Sequence, residues 1–156
     1  MNISKELKQK LIEYSDEIAS KKDFLSIHTN DEKGREKDKI GISQYRTLAE
    51  IASNIDSYDE FELYIKYKES KRNGWDNIFD GMKYGDKIIE YMRKIKNDAT
   101  EDILPKALSL FFGYLYWQSS YRVKPIRTDA SQNNTGFGKQ NNNSKNGNKY
   151  YNSNKR

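Results

Sequence analysis

Few side chains in this 156-residue sequence have the types and spacing that enzymatic chemistry needs. His28 is the single histidine, so one chain cannot supply a catalytic histidine pair, and a lone histidine in a charged loop is usually solvated. There is no cysteine to act as a nucleophile or zinc ligand. No glycine-rich segment matches a phosphate-binding loop. We therefore expect no cofactor and no catalytic activity.

Asp76 and Asp80 are the best candidates for metal chemistry. They are four residues apart, which places both carboxylates on one face of a helix, where they could hold a magnesium ion. Acidic residues in the first turn of a helix more often complement the helix dipole. A metal-dependent nuclease that uses this pair is therefore an alternative hypothesis. The competing interpretation is that the two carboxylates only stabilise the start of the helix.

The basic residues form a more informative pattern. Lys68, Lys71 and Arg72 lie at the end of a predicted helix, with Lys68 and Arg72 four apart on one face. Arg46 falls in the first turn of another predicted helix, where a cation opposes the dipole. An external anion would explain Arg46, and a surface ion pair with Glu50 at i+4 is the competing explanation. Cations with this spacing indicate contacts to nucleic-acid phosphates.

Helical periodicity organises the first 123 residues, and no period-two strand pattern stands out. It predicts five helices, over about 4–22, 43–55, 57–73, 76–96 and 100–117. The inward positions expected in the first helical region and just after it are Leu7, Leu11, Tyr14, Ile18 and Leu25. Predicted N-caps are Ser43, Ser57 and Thr100, and Gly81 and Gly85 weaken the fourth helix.

The third predicted helix buries Phe61, Tyr64 and Ile65, with Tyr67 as a further candidate, and Asn73-Gly74 is its predicted stop. The last helix is apolar on nearly every side, which favours a place at the centre of a bundle or partly in an interface. The sequence therefore predicts an all-α fold, a compact bundle of about five helices over residues 1–123.

Residues 124–156 have a different composition. They hold nine Asn and seven Lys or Arg against one acid, Asp129, which leaves 21 basic and 22 acidic residues in 1–123. Such a segment cannot bury enough apolar surface to become ordered, so we expect a disordered basic tail. The nearly neutral body excludes a uniformly basic nucleic-acid-binding domain but does not exclude local basic patches.

The sequence shows no signal peptide and no membrane-spanning stretch. We therefore expect a cytoplasmic protein that does not engage a membrane.

Three stretches resemble the small, all-helical subunit of the type III-A CRISPR effector, the Csm complex. Residues 42–46, Ile-Ser-Gln-Tyr-Arg, are similar to the family's helix-opening pattern. Residues 63–72 resemble its tyrosine-containing segment, with Tyr67 and Arg72 as matching residues, and residues 108–117 its closing aromatic helix. The likeness spans about residues 5–122. Gln118 and Ser119 depart from the family's usual ending, and the Asn-rich tail is not a family feature, which leaves open a small subunit of another type III subtype.

The resemblance implies a bundle of about five helices whose copies stack along a guide RNA–target RNA duplex and contact its backbone. It also implies that other subunits of the effector do the cutting. Within this hypothesis Arg46, Lys68, Lys71 and Arg72 are the expected RNA contacts. A helical protein–protein adaptor that does not bind RNA is the main alternative.

Overall fold

The structure, a computed structural model, describes residues 2–31 and 33–123. These residues form five helices: α1 (Lys5–Ala19), α2 (Gln44–Ser53), α3 (Tyr58–Ser70), α4 (Tyr84–Asp98) and α5 (Leu104–Arg122). They also form two pairs of two-residue strands, β1 (His28–Thr29) with β2 (Ile40–Gly41) and β3 (Ile78–Phe79) with β4 (Met82–Lys83). The predicted all-α class and five-helix bundle are confirmed, with these short strands as an addition. The predicted disordered tail lies outside the described residues.

Helix α5 lies at the centre of the bundle, as its apolar sequence predicts. It packs against α2, α1 and α4, while α3 packs mainly against α4. The residues that α5 buries are Leu104, Ala107, Leu108, Phe111, Phe112, Leu115 and Ser119. Within the described part of the chain, no helix has the length and hydrophobicity needed to cross a bilayer.

Side-chain caps set two of the helix starts. The Ser4 hydroxyl accepts a hydrogen bond from the Leu7 amide at 3.1 Å and begins α1. The Ser57 hydroxyl accepts one from the Glu60 amide at 3.2 Å and begins α3, as predicted. Thr100 does not cap α5, because its hydroxyl donates to Asp102 and the helix begins only at Leu104.

The segment before α4 is a β-hairpin, so the prediction of a helix from residue 76 is wrong. Asp80 and Gly81 both have positive φ, 53° and 86°, which is the conformation of a two-residue type I′ turn. Phe79 pairs with Met82 across this turn, and α4 begins directly after the hairpin. Asp-Gly between apolar residues is a hairpin pattern, and here it outweighs the helical spacing of the same residues.

The chain reverses sharply after α3 and returns toward the start of α2. Arg72 has φ 76° and Gly74 has φ 96°, so the left-handed residue comes earlier than the predicted Asn73-Gly74 stop. A Cβ on Gly74 would lie 2.6 Å from the Ile40 backbone nitrogen, so only glycine fits where these two backbone segments approach each other. The reversal buries Trp75, whose indole N–H donates to the Gln44 side-chain oxygen at 3.2 Å. The end of α3 is thereby fixed beside the start of α2.

His28 is buried, which corrects the expectation of a solvated side chain. Its Nδ1 lies 2.6 Å from the Phe24 carbonyl oxygen and therefore carries the proton, since a carbonyl can only accept. Its Nε2 then accepts from the Tyr45 hydroxyl at 2.6 Å, and the Tyr45 oxygen accepts from Tyr84. Phe24, and not the predicted Leu25, packs in the core beside this histidine.

Candidate nucleic-acid interface

Three of the four predicted RNA contacts come together at the C-terminal end of α3. Lys68 is in the last turn of the helix, Lys71 is its C-cap, and Arg72 follows directly. Cations here complement the negative end of the helix dipole, so this placement has local support whether or not a ligand binds. We call the three cations, together with Tyr64, Tyr67 and Trp75, the α3-end surface.

Aromatic rings hold the two lysines of the α3-end surface. The Lys68 ammonium lies 5.6 Å from the Tyr64 ring centroid and 5.5 Å from that of Trp75. The Lys71 ammonium lies 5.4 Å from the Tyr67 centroid. These distances are within cation–π range, so the ring faces limit where each charge can go. Tyr67 is 53% exposed, so its candidacy as a buried position of α3 is wrong.

The cations of the α3-end surface have no carboxylate partner among the described residues, whereas a neighbouring lysine does. The ion pairs of the described chain include none with Lys68, Lys71 or Arg72. Lys66, on the same helix, lies 3.6 Å from Glu62, which also pairs with Arg93 at 2.6 Å. The three cations are therefore available to an external anion, while Lys66 is committed to a carboxylate.

Burial lowers the pKa of Lys68, because its half-buried ammonium has lost part of its hydration. A phosphate beside the amine would offset that desolvation. On the adjacent side of α3, burial raises the pKa of Glu69, and a hydrogen bond to Asp86 raises it further. The negative charge of Asp86 thus opposes ionisation of Glu69.

Arg72 adopts the left-handed conformation, which is unusual for a residue with a side chain. At this position after a helix glycine is the common choice, because a Cβ costs about 1–2 kcal/mol there. Arg72 is exposed, and its backbone amide donates to the Glu69 carbonyl at 3.2 Å. An exposed arginine at a glycine position points to a role for the guanidinium outside the fold.

Arg46 belongs to α2, and its side chain packs against Tyr116 of α5. It is exposed in the first turn of α2, as predicted, and its guanidinium carbon is 5.2 Å from the centroid of the Tyr116 ring. Its Nη1 also donates a long hydrogen bond, 3.4 Å, to the Tyr116 hydroxyl. The competing explanation, an ion pair with Glu50, is wrong: no such pair occurs in the described chain. Arg46 is thus held by a side chain of α5, whereas Lys68 and Lys71 are held by the rings of the α3-end surface.

Sequence reasoning missed Tyr64 and Trp75 as parts of the α3-end surface. Tyr64 and Lys68 are four residues apart, as are Tyr67 and Lys71, and this spacing places each ring beside its ammonium. The pattern could have been read from the sequence. The contact of Trp75 with Lys68 could not have been read from the sequence, because it depends on the chain reversal at Gly74.

Asp76 and Asp80 do not share a helix face, so the geometry behind the metal-dependent alternative is absent. Asp80 lies in the hairpin turn, where its carboxylate is 3.1 Å from the Lys87 ammonium and 3.4 Å from that of Lys21. In the described residues, no three His, Cys, Asp or Glu side chains are grouped closely enough to hold a metal ion. Neither observation supports a metal site built on this pair.

Comparison with protein-family models, curated proteins and solved structures found no match for this chain. The chemistry of its own residues, above all the α3-end surface, is therefore the basis for assigning a function.

Proposed function

We propose that this chain is a non-catalytic RNA-binding small subunit of a type III CRISPR ribonucleoprotein effector, acting in antiviral defence in the cytoplasm. In this proposal the protein lies along the duplex of guide RNA and target RNA, next to other effector subunits and further copies of itself. The observation that carries RNA binding is the set of three cations at the α3 end without a carboxylate partner in the described chain. The proposal of a type III effector as the assembly is supported by the sequence resemblance over residues 42–46, 63–72 and 108–117.

The α3-end surface suits the RNA backbone better than base edges. Lysine ammonium groups are point charges that bind phosphate without reading sequence. The body as a whole is nearly neutral, so a single copy should bind weakly, and stacked copies would gain affinity by avidity.

Neutralising a cation of the α3-end surface should weaken RNA binding in a salt-dependent way. For Lys71→Ala we expect log affinity against log salt to become shallower by roughly one unit, because one phosphate contact no longer releases a counterion. The loss should be similar for unrelated duplex sequences. Fluorescence anisotropy on duplex RNA at several salt concentrations measures both quantities. The full chain is suitable, since the tail contributes equally to every variant.

Lys66→Ala is the matched control, because Lys66 is an exposed lysine on the same helix that already pairs with Glu62. We expect a clearly smaller change in slope for this variant. Equal changes for Lys66→Ala and Lys71→Ala would mean that only overall charge matters. Wild-type slopes for Lys68→Ala, Lys71→Ala and Arg46→Ala would reject the RNA-backbone surface and favour the adaptor alternative.

Arg72→Gly should separate folding from binding. Glycine accepts φ 76° without strain, so the free energy of unfolding should stay unchanged or rise by up to about 1 kcal/mol. RNA affinity should nevertheless fall, because one cation is gone. Urea denaturation and the anisotropy titration, performed on the same preparation, test the two parts. A variant that is destabilised or binds like wild type would contradict a binding role for Arg72.

The assembly can be tested apart from RNA affinity. If the proposal is right, the gene should lie beside a CRISPR array and a large-subunit gene. Co-expression with those neighbouring subunits should yield a complex that contains this chain and guide RNA. A complex that forms equally well without any RNA would favour the protein–protein adaptor.

A further inference from the structure

A second surface, formed by α1 and α5, remains outside the proposed backbone contact. Between the two helices lies a groove of about 450 Å³, lined chiefly by Ile12, Tyr114, Trp117, Tyr121 and Arg122. We call it the α5 groove. It occupies the outer side of the helix whose opposite side fills the core.

Its aromatic side chains are far more exposed than the fold requires. Trp117 is 66% exposed and Tyr121 is 83% exposed. Positions 114, 117 and 121 follow helical spacing, so the three rings lie along one face of α5. The Tyr114 and Trp117 centroids are 5.7 Å apart with the rings tilted by 51°. The result is a row of aromatic rings, of which Trp117 and Tyr121 are largely exposed, with the Arg122 guanidinium carbon 5.8 Å from the Tyr121 centroid.

Polar contacts hold the groove in shape and neutralise its charges. Arg122 Nη2 lies 3.0 Å from the Asp16 carboxylate, and Arg122 Nε donates to the Gln118 side-chain oxygen at 2.9 Å. Gln118 in turn donates to the Ser15 hydroxyl at 3.4 Å. Because Asp16 is paired with Arg122, the groove does not present an unbalanced negative charge to an incoming phosphate.

We propose that the α5 groove binds single-stranded nucleic acid, with bases stacking on Trp117 and Tyr121. Two observations favour this occupant. The exposed apolar lining is almost entirely aromatic, Ile12 being its aliphatic member, and base stacking needs such ring faces. The chain also continues from the end of this groove into residues 124–156, whose seven cations and one acid complement a phosphate backbone.

This inference does not rest on the α3-end surface. There the expected ligand is the backbone of a duplex, held by charge, whereas the α5 groove takes unstacked bases, held by ring faces. In the α5 groove the rings provide the contact, and that contact depends on the bases.

Tryptophan fluorescence of the full chain tests the proposal directly. The chain has two tryptophans, and Trp75 is only 1% exposed, so stacking of a base should quench the emission of Trp117. A short oligouridylate is the probe, and an abasic oligonucleotide of the same length carries the same charge without bases. We expect quenching by the first and little or none by the second. Equal responses to both, or no response to oligouridylate, would overturn the proposal.

Substitutions of Trp117 then separate stacking from simple hydrophobic contact. We expect Trp117→Ala and Trp117→Leu to weaken oligouridylate binding about tenfold, in line with the loss of one stacked base, and Trp117→Phe to keep most of the affinity. Because Trp117 is exposed, all three variants should fold. Wild-type affinity in Trp117→Leu would show that ring stacking is not the interaction.

Two further measurements distinguish nucleic-acid binding in the α5 groove from binding at the α3-end surface and from contact with a second copy. Lys71→Ala should leave the quenching by oligouridylate largely intact, so failure of the α3-end surface would not imply failure of this groove. Sedimentation of the wild-type chain and Trp117→Ala tests whether a second copy occupies the groove instead. A self-associating wild type that Trp117→Ala makes monomeric, without a change in oligouridylate affinity, would replace the nucleic-acid proposal with a copy–copy interface.

Discussion

Phe111→Ala should lower the free energy of unfolding by about 3–5 kcal/mol, the usual cost of removing a buried aromatic side chain. Phe111 is fully buried on the central helix α5. Its ring centroid is 5.2 Å from that of Phe112, which in turn meets Phe61 of α3 edge-on at 5.7 Å. The cavity would therefore open in the middle of the bundle. Urea denaturation followed by circular dichroism measures the change.

Tyr121→Ala is the matched control for this prediction. Tyr121 is an aromatic residue on the same helix, but it is exposed, so its removal should change stability by no more than about 0.5 kcal/mol. Sequence alone left two roles open for α5, core element or interface. If Phe111→Ala were as stable as the wild type yet failed to join a larger assembly, the interface role would be correct.

The second large effect is a loss of folding stability at low pH, caused by the buried side chain of His28. Burial lowers the pKa of His28 from 6.5 to about 4, because a charged imidazole would lose its hydration among Phe24, Tyr45 and Tyr84. Between these two pH values the unfolded chain binds a proton that the folded chain does not. The contribution of neutral His28 is therefore complete above pH 6.5 and falls as the pH drops toward 4, by about 3 kcal/mol in total.

Two measurements test the role of His28. As the chain has one histidine, its imidazole proton signals in NMR are unambiguous and give the pKa directly. The matched variant is His28→Gln, whose amide can donate to the Phe24 carbonyl and accept from Tyr45 but does not titrate. Its stability should decline less between pH 7 and pH 4, since the carboxylates titrate alike in both proteins. A His28 pKa near 6.5 in the folded chain would contradict the buried, neutral assignment.

Local patterns in the sequence predicted much of the fold, because they report local structure. The Ser57 cap and the apolar stripe of α3 depend on neighbours within a few residues, and both are found. The helix predicted from residue 76 failed for a local reason too. Ile78, Phe79 and Met82 fit a helical face, but Asp80-Gly81 between them is also a hairpin turn, and the turn prevails.

Other features depend on distant partners, and no local pattern could reveal them. His28 looked like a loop residue because its hydrogen-bond partner Tyr45 comes from α2, and Tyr84, which continues the network, comes from α4. In the same way, the sequence could not show that Glu62 has a second partner. Its i,i+4 pairing with Lys66 follows from helical spacing, but its pairing with Arg93 of α4 depends on how the two helices pack.

The central position of the last helix has a consequence for how the protein is made. During synthesis α1 and α2 emerge first, but the helix that covers both of them, α5, begins only at Leu104. At roughly 5–20 residues per second, several seconds pass between the end of α1 and the start of α5. Throughout that interval the apolar faces of the early helices lack their main partner. A nascent chain of this protein should therefore depend on chaperones until α5 has left the ribosome, and a messenger truncated before that point would yield a product without a core.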